Sequence, residues 1–164
     1  MFRGLYDTPI DSKGRTSMPA RIREVLSRMN HPEGVPEVVE ADSEVMSQES
    51  FVLTTGIDRC LVVYSMPEWT LFEAKLGSLS QFDPAVVQLK RIYVAGAIEC
   101  TLDKHGRLMI PPMLREYAGL TRDIVWAGMV KTTELWAKEH WKLEVETSRA
   151  DRVSISRALT ELGL

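Results

Sequence analysis

The 164-residue sequence predicts an α+β protein that consists of two related units. A ten-residue pattern, apolar-Asp-x-x-Gly-Arg-x-x-apolar-Pro, occurs at residues 10–19 and again at residues 102–111. β-rich runs and amphipathic helical segments come after each copy in the same order. Because a long pattern and its downstream segments both occur twice, we expect one architecture to be built twice in this chain.

Each copy of the pattern is predicted to form a strand, a tight turn and a second strand. Gly14 and Gly106 supply the positive φ that a tight hairpin turn requires. Asp11 and Asp103 shape the turn, because their carboxylates can accept hydrogen bonds from its backbone. A proline ends the second strand, and a short helix is expected next, at residues 20–26 and 113–118.

Alternating strands and helices are predicted for the rest of the chain. A helix begins after Ser65, whose hydroxyl can cap it in a capping box with Glu68. The other expected elements are strands at 2–6, 51–54, 60–64, 97–102, 123–129 and 133–137, and helices at 65–76, from residue 83, and at 138–148. The tail at 149–164 alternates charged and apolar residues, so we expect a loosely held helix or a frayed end.

The spacing of the two repeats reveals an insertion in the first one. The turn motifs are offset by 92 positions, whereas residues 56–69 and their later echo at 128–141 are offset by only 72. The difference of 20 residues fits residues 30–50, which hold two prolines, a glycine and six acidic residues. Because this run is so polar, it can bury little apolar surface to offset the conformational entropy lost when a chain becomes ordered. We therefore predict a mobile surface loop.

Composition excludes several classes of protein. No run approaches the roughly 20 apolar residues of a membrane span, and no secretory h-region opens the chain, so we expect a cytoplasmic protein without a membrane partner. Cys60 and Cys100 lack metal-binding spacing and are predicted to be buried strand residues. We expect no metal, no cofactor, no small-molecule substrate and no catalytic residue, since no nucleophile with a base, no carboxylate pair and no phosphate-binding loop is recognisable.

The distribution of charge points to a basic N-terminal segment. The net charge is −3, but residues 1–28 carry six basic and three acidic side chains. Arg15 and Arg107 allow two interpretations: an internal ion pair with the aspartate of the same turn, or contact with a partner. The arginines of the helix after Pro19 are interpreted as a solvated face.

Several short segments occur along the chain in a fixed order: Met1-Phe2-Arg3-Gly4, Asp11 to Arg15, Pro19-Ala20-Arg21, Tyr64 to Trp69, Asp103 to Arg107, Leu114-Arg115-Glu116, Ala118-Gly119-Leu120 and Glu134-Leu135-Trp136. Together, in this order, they closely resemble the MraZ family of bacterial transcriptional regulators. The sequence departs from the pattern in the long acidic insertion, in the generic tail, and at Thr16, where the second copy has Leu108.

The resemblance implies a fold of two AbrB-like swapped-hairpin units fused into a pseudo-dimeric β-barrel with packing helices. Repeat 1 would span residues 1–69, including the acidic loop insertion at 30–50. Connecting helices would occupy residues 70–96, repeat 2 would span 97–143, and a C-terminal tail would follow at 144–164. It further implies a ring-shaped homo-oligomer, associated with the nucleoid, that binds direct repeats of double-stranded DNA in its own promoter and represses a division and cell-wall operon. The implied DNA-binding residues are Arg3, Lys13, Gly14, Arg15, Lys104 and Arg107.

Two other functions remain open at the level of sequence. An oligomeric scaffold without DNA binding would use the same fold. AbrB-like hairpins also occur in antitoxins, in which a C-terminal tail wraps a toxin. The tail here is short and poor in aromatic residues, which makes that function less attractive.

Overall fold

The computed structural model describes residues 1–32 and 49–163, and it confirms the α+β class. The strands are β1 (Leu5–Pro9), β2 (Arg15–Ser17), β3 (Phe51–Thr55), β4 (Leu61–Ser65), β5 (Ile98–Cys100), β6 (Arg107–Met109), β7 (Asp123–Met129) and β8 (Thr132–Ala137). The helices are α1 (Ala20–Asn30), α2 (Met66–Ser78), α3 (Pro84–Leu89, continued by a π-helical turn at Lys90–Val94), α4 (Pro112–Ala118), α5 (Lys138–Ala150) and α6 (Arg152–Leu162).

The strands form one six-stranded antiparallel sheet, in the order β1-β7-β8-β4-β3-β5, and a separate two-stranded ribbon of β2 and β6. In both, the first strands of one repeat pair with the other repeat: β1 with β7, β5 with β3, and β2 with β6. The two sheets do not close into a barrel within the described residues, so that detail of the predicted fold is not confirmed.

The turn motifs therefore differ from ordinary local hairpins. Within the first motif, the described backbone pairing is an isolated bridge between Ile10, which follows β1, and Thr16 of β2. The rest of β1 runs along β7, from Leu5 opposite Ala127 to Pro9 opposite Asp123. The sequence correctly predicts each turn, but the strands on either side of the turn pair with strands about a hundred residues away in the sequence.

Equivalent elements keep the two offsets found in the sequence. β2 and β6 are 92 positions apart, whereas β4 and β8 end 72 positions apart. Residues 33–48 of the predicted mobile loop lie outside the described residues. The ends of the insertion are joined by Asn30, which donates to the Ser50 carbonyl at 2.9 Å and accepts from the Met66 backbone N–H at 3.1 Å.

Among the described residues, the larger of two buried apolar clusters is shared by both repeats. Ile22, Leu26 and Leu53 of the first repeat pack in the same cluster as Leu114 and Leu135 of the second. Cys60 and Cys100 are free thiols and buried as predicted, Cys100 in β5 and Cys60 just before β4. Burial raises the pKa of Cys60 to about 12 and that of Cys100 to about 11, so both thiols stay neutral.

Helix ends follow the predicted chemistry in part. The Ser65 hydroxyl accepts a hydrogen bond from the Glu68 backbone N–H at 3.5 Å and caps α2, as predicted. The reciprocal half of the capping box is replaced, since the Glu68 carboxylate pairs with Lys131 at 3.2 Å. In the tail, α6 is a helix with no buried residue, which agrees with loose attachment.

A hydrogen-bond network on the inner side of the ribbon links it to the six-stranded sheet. The Trp126 indole N–H donates to the Thr8 hydroxyl at 2.9 Å, and the Thr8 and Thr16 hydroxyls lie 3.0 Å apart. Trp126 and Thr16 are fully buried, so each polar group needs a partner. This network explains why Thr16 stands where the second repeat has Leu108. It ties β7 of the second repeat to β1 and β2 of the first.

We predict that Thr8→Val lowers the free energy of unfolding by about 1–3 kcal/mol, because it leaves a buried indole N–H and the Thr16 hydroxyl without their partner. Thr8→Ser is the matched control, since it keeps the hydroxyl and should lose less. Chemical denaturation of the three proteins measures the difference. Equal stability of the Val and Ser variants would contradict the role of this network.

Candidate nucleic-acid interface

The first turn is organised by the carboxylate of Asp11. Its Oδ1 accepts from the backbone N–H groups of Lys13 and Arg15, both at 2.9 Å. Its Oδ2 accepts from Arg15 Nε at 2.8 Å and lies 2.7 Å from Arg15 Nη2. One carboxylate thus closes the turn and fixes the direction of the guanidinium group.

The second turn repeats this arrangement almost atom for atom. Asp103 Oδ1 accepts from the backbone N–H groups of His105 at 2.8 Å and Arg107 at 3.0 Å. Asp103 Oδ2 accepts from Arg107 Nε at 2.8 Å. Of the two interpretations of Arg15 and Arg107, the internal ion pair is therefore present at both turns. It does not exclude the other interpretation, because the two side chains remain 30% and 32% exposed.

Both turn carboxylates are held in the charged form. At Asp11 the backbone N–H of Arg15, and then its side chain, lower the pKa. At Asp103 desolvation acts to raise the pKa, but hydrogen bonds from the Arg107 backbone, the Arg107 side chain and the His105 backbone outweigh it and bring the pKa to about 2. Each guanidinium therefore keeps its anionic partner at neutral pH.

The ribbon places the two turns at its opposite ends, joined by three residue pairs. The Met18 backbone N–H donates to the Gly106 carbonyl at 3.0 Å, and the Ile110 backbone N–H donates to the Gly14 carbonyl at 2.9 Å. Each glycine lies in the left-handed region, with φ of +81° at Gly14 and +70° at Gly106, as predicted. The glycine of each turn therefore accepts a hydrogen bond from the opposite repeat, and neither turn is positioned by its own repeat alone.

Two further arginines, which were not predicted from the sequence to belong to this surface, reach it in the structure. Arg115 of α4 lies against Gly14, where a Cβ atom would be 2.7 Å from its Nε, and Arg23 of α1 lies against Gly106 in the same way. Within the described residues the buried Nε of Arg115 has no hydrogen-bond partner. The signal was in the sequence, since both motif copies continue into Arg-Glu at the same distance.

The arginines of α1 are all exposed, as the solvated-face interpretation predicts, but they differ in their contacts. Arg21 and Arg28 pair with Glu24 at 2.9 and 2.8 Å on the exposed side of the helix. Arg23 turns instead toward the second repeat. Two of the three arginines of α1 are thus engaged in local ion pairs, and the third makes a contact across the repeats.

The structure brings most of the predicted site residues together. Lys13 and Lys104 are exposed at the turn tips, next to Arg15 and Arg107. Arg3 is the exception: it is exposed beyond the far end of β1, on the order of 20 Å from the first turn at about 3.3 Å per extended residue. A ligand that contacts the ribbon would need considerable length to contact Arg3 as well.

Other kinds of site do not emerge from the part of the chain that the structure describes. No group of three or more His, Cys, Asp or Glu side chains there could hold a metal ion. No helix among these residues has the length and apolar character needed to cross a membrane.

Fold and site together define a class: an internally duplicated α+β protein that presents two arginine-bearing turns on one cross-repeat ribbon. The family model described as "MraZ protein, putative antitoxin-like" matches residues 93–161. Proteins named "Transcriptional regulator MraZ" are similar over nearly the whole chain. The one from Thermoanaerobacter sp. (strain X514) is 35% identical over 164 residues and that from Acetivibrio thermocellus 37% over 164, each covering 100% of both chains.

A third relative of that name, from Coxiella burnetii (strain RSA 493 / Nine Mile phase I), is 39% identical over 151 residues, which are 92% of this chain and 86% of the relative. The chain belongs to the MraZ family. These relatives are named as transcriptional regulators and not as enzymes.

We predict that Asp103 contributes to stability only while it is ionised. Its folded-state pKa of about 2 lies below the usual value of 3.8, so the contribution is fully present above about pH 4 to 5 and is lost as the pH falls toward 2. Thermal unfolding of wild type and Asp103→Asn should show a Tm difference that is constant at neutral pH and disappears in acid. Glu146→Gln, an exposed carboxylate on α5, is the control for the change in net charge. A Tm difference as large at pH 2 as at neutral pH would refute this assignment.

Proposed function

We propose that the chain is a transcriptional regulator that binds double-stranded DNA through the ribbon of β2 and β6. The observation that carries this proposal is the pair of matching Asp–Arg turns, one at each end of a short ribbon, with both guanidinium groups partly exposed. The names of the relatives support the same role.

The geometry of the turns suits contact with DNA. The Arg15 guanidinium uses Nε and one terminal nitrogen for Asp11, which leaves N–H groups on its other edge for phosphate oxygens or the acceptors of guanine. The carboxylate restricts the side chain before binding, so less conformational entropy is lost when DNA is contacted. A two-stranded antiparallel ribbon also has a width that the major groove of B-DNA admits.

Positively charged side chains surround the two turns. Six of them lie at the turns or in contact with the turn glycines, namely Lys13, Arg15, Arg23, Lys104, Arg107 and Arg115. The two turn carboxylates, Asp11 and Asp103, offset part of this positive charge. DNA affinity from phosphate contacts grows with the number of phosphates neutralised, and one such patch neutralises few. A single chain should therefore bind weakly.

Self-association would remove this weakness. We propose a ring of identical chains that presents the ribbon several times, so that spaced direct repeats in the promoter of the chain's own gene are bound by effective concentration. We propose that the bound ring represses its own operon, which belongs to a division and cell-wall gene cluster, and that the protein is associated with the nucleoid. Within each chain, the pairing of β1 with β7 and β5 with β3 supports a pseudo-dimer of swapped hairpins.

A protein-binding role is the second candidate, and α6 favours it. Ile155, Leu159 and Leu162 recur at helical spacing on this helix and are 44%, 45% and 72% exposed. An amphipathic helix with an uncovered apolar face is a common means of docking to another protein. The description of the family model as antitoxin-like agrees with that interpretation.

The proposal is tested by measuring binding to the DNA directly upstream of the gene across a salt series. Wild type should bind with a steep salt dependence, and Lys13→Ala should weaken binding and reduce the slope by about one, as expected for one lost phosphate contact. Arg15→Ala should lose more, because it also removes a potential base contact. Lys75→Ala, on the exposed surface of α2, is the matched control and should leave binding unchanged.

Lys13 is the decisive position because no described hydrogen bond or ion pair depends on its side chain, so its loss should not disturb folding. Wild-type affinity in both Lys13→Ala and Arg15→Ala would remove the ribbon from the proposed interface. Light scattering on the same samples should show an oligomer. A monodisperse monomer would eliminate the part of the proposal that depends on multivalent binding.

A further inference from the structure

The outer face of the ribbon carries four side chains. The register places Arg15 opposite Met109 and Ser17 opposite Arg107, with Thr16 opposite Leu108 between them. Residues directly opposite in an antiparallel pair project to the same side, and successive residues alternate. Thr16 and Leu108 are each 1% exposed and point into the protein. The other two pairs, Arg15 with Met109 and Ser17 with Arg107, therefore share the outer side.

The two halves of this outer face are related by the 92-residue offset but are not identical. Arg15 and Arg107 occupy equivalent positions and make the same bonds to their aspartates. Ser17 and Met109 also occupy equivalent positions, yet one is a hydroxyl and the other a thioether. Both are exposed, Met109 by 51%. The approximate twofold symmetry is thus broken on the outer side of the two strands at this pair of positions, and also at the turn tips, where Lys13 corresponds to His105 and Ser12 to Lys104.

The two side chains would recognise different base edges. A serine hydroxyl can donate to or accept from polar groups in the major groove, whereas an apolar side chain contacts the C5-methyl group of thymine. The flexible, polarisable side chain of methionine adapts well to such a contact. Each lies opposite an arginine of the other strand, so the arginines would anchor the ribbon while Ser17 and Met109 distinguish its two ends.

We propose that Ser17 and Met109 determine sequence specificity, and that their difference makes the ribbon read an asymmetric sequence in one orientation. This inference rests on the proposed function, namely that the ribbon enters DNA. A symmetric protein surface matches a palindromic site. A surface with two unlike ends matches a site with direction.

The test is selection of bound sequences from a duplex library that is randomised over about two helical turns of DNA. Wild type should select an asymmetric motif with thymine preferred at one end. Met109→Ser gives the two equivalent outer positions the same side chain, so its motif should lose that thymine preference by about fivefold or more. Ser17→Met should add a thymine preference at the other end of the motif.

Neither substitution changes a charge, so the salt dependence of non-specific binding should match wild type. Met129→Ser is the matched control, because Met129 is 48% exposed and lies in β7 of the six-stranded sheet. It should select the wild-type motif, and circular dichroism confirms that each variant is folded. Ser17→Met provides an independent second arm.

The outcomes separate this inference from the proposed function. Binding by wild type with an unaltered motif in both Met109→Ser and Ser17→Met would overturn the specificity role and leave DNA binding intact. Failure of wild type to enrich or retain any DNA would overturn the proposed function, and this inference with it.

Discussion

The candidate interface depends on hydrogen bonds that cross between the two repeats. β2 of the first repeat pairs only with β6 of the second among the described strands, and the Gly14 and Gly106 carbonyls accept from the opposite repeat. Because of this exchange, the turn aspartates, their arginines and the flanking helices converge on one surface. A single repeat would leave its ribbon strand without a partner and its turn glycine carbonyl without a donor, so the duplication is a condition for the site.

Local features could be predicted from the sequence because neighbouring residues determine them. The Asp-x-x-Gly-Arg spacing allows one carboxylate to accept from two backbone N–H groups, and both turns have that geometry. Ser65 caps α2 through a backbone N–H three residues ahead. The change of offset from 92 to 72 located the insertion without knowledge of the fold, since equivalent elements must keep their spacing wherever no residues are added.

Long-range features could not be predicted in the same way. Nothing in the composition of β1 specifies that it pairs with β7 instead of β2, because edge backbone groups accept any strand of matching register. Arg23 looked like its neighbours Arg21 and Arg28, and only the contact with Gly106 separates it from them. The resemblance grouped Arg3 with the turn residues, yet an extended strand carries it to the opposite end of β1.

Entry of the ribbon's outer face into the major groove is the step on which the proposed function depends, and methylation interference on the upstream DNA tests it. Guanine N7 lies in the major groove and adenine N3 in the minor groove, so partial methylation marks each groove separately. We expect N7 methylation at guanines within the bound repeats to abolish binding, while N3 methylation has little effect. Interference confined to adenine N3 would contradict major-groove binding by the ribbon.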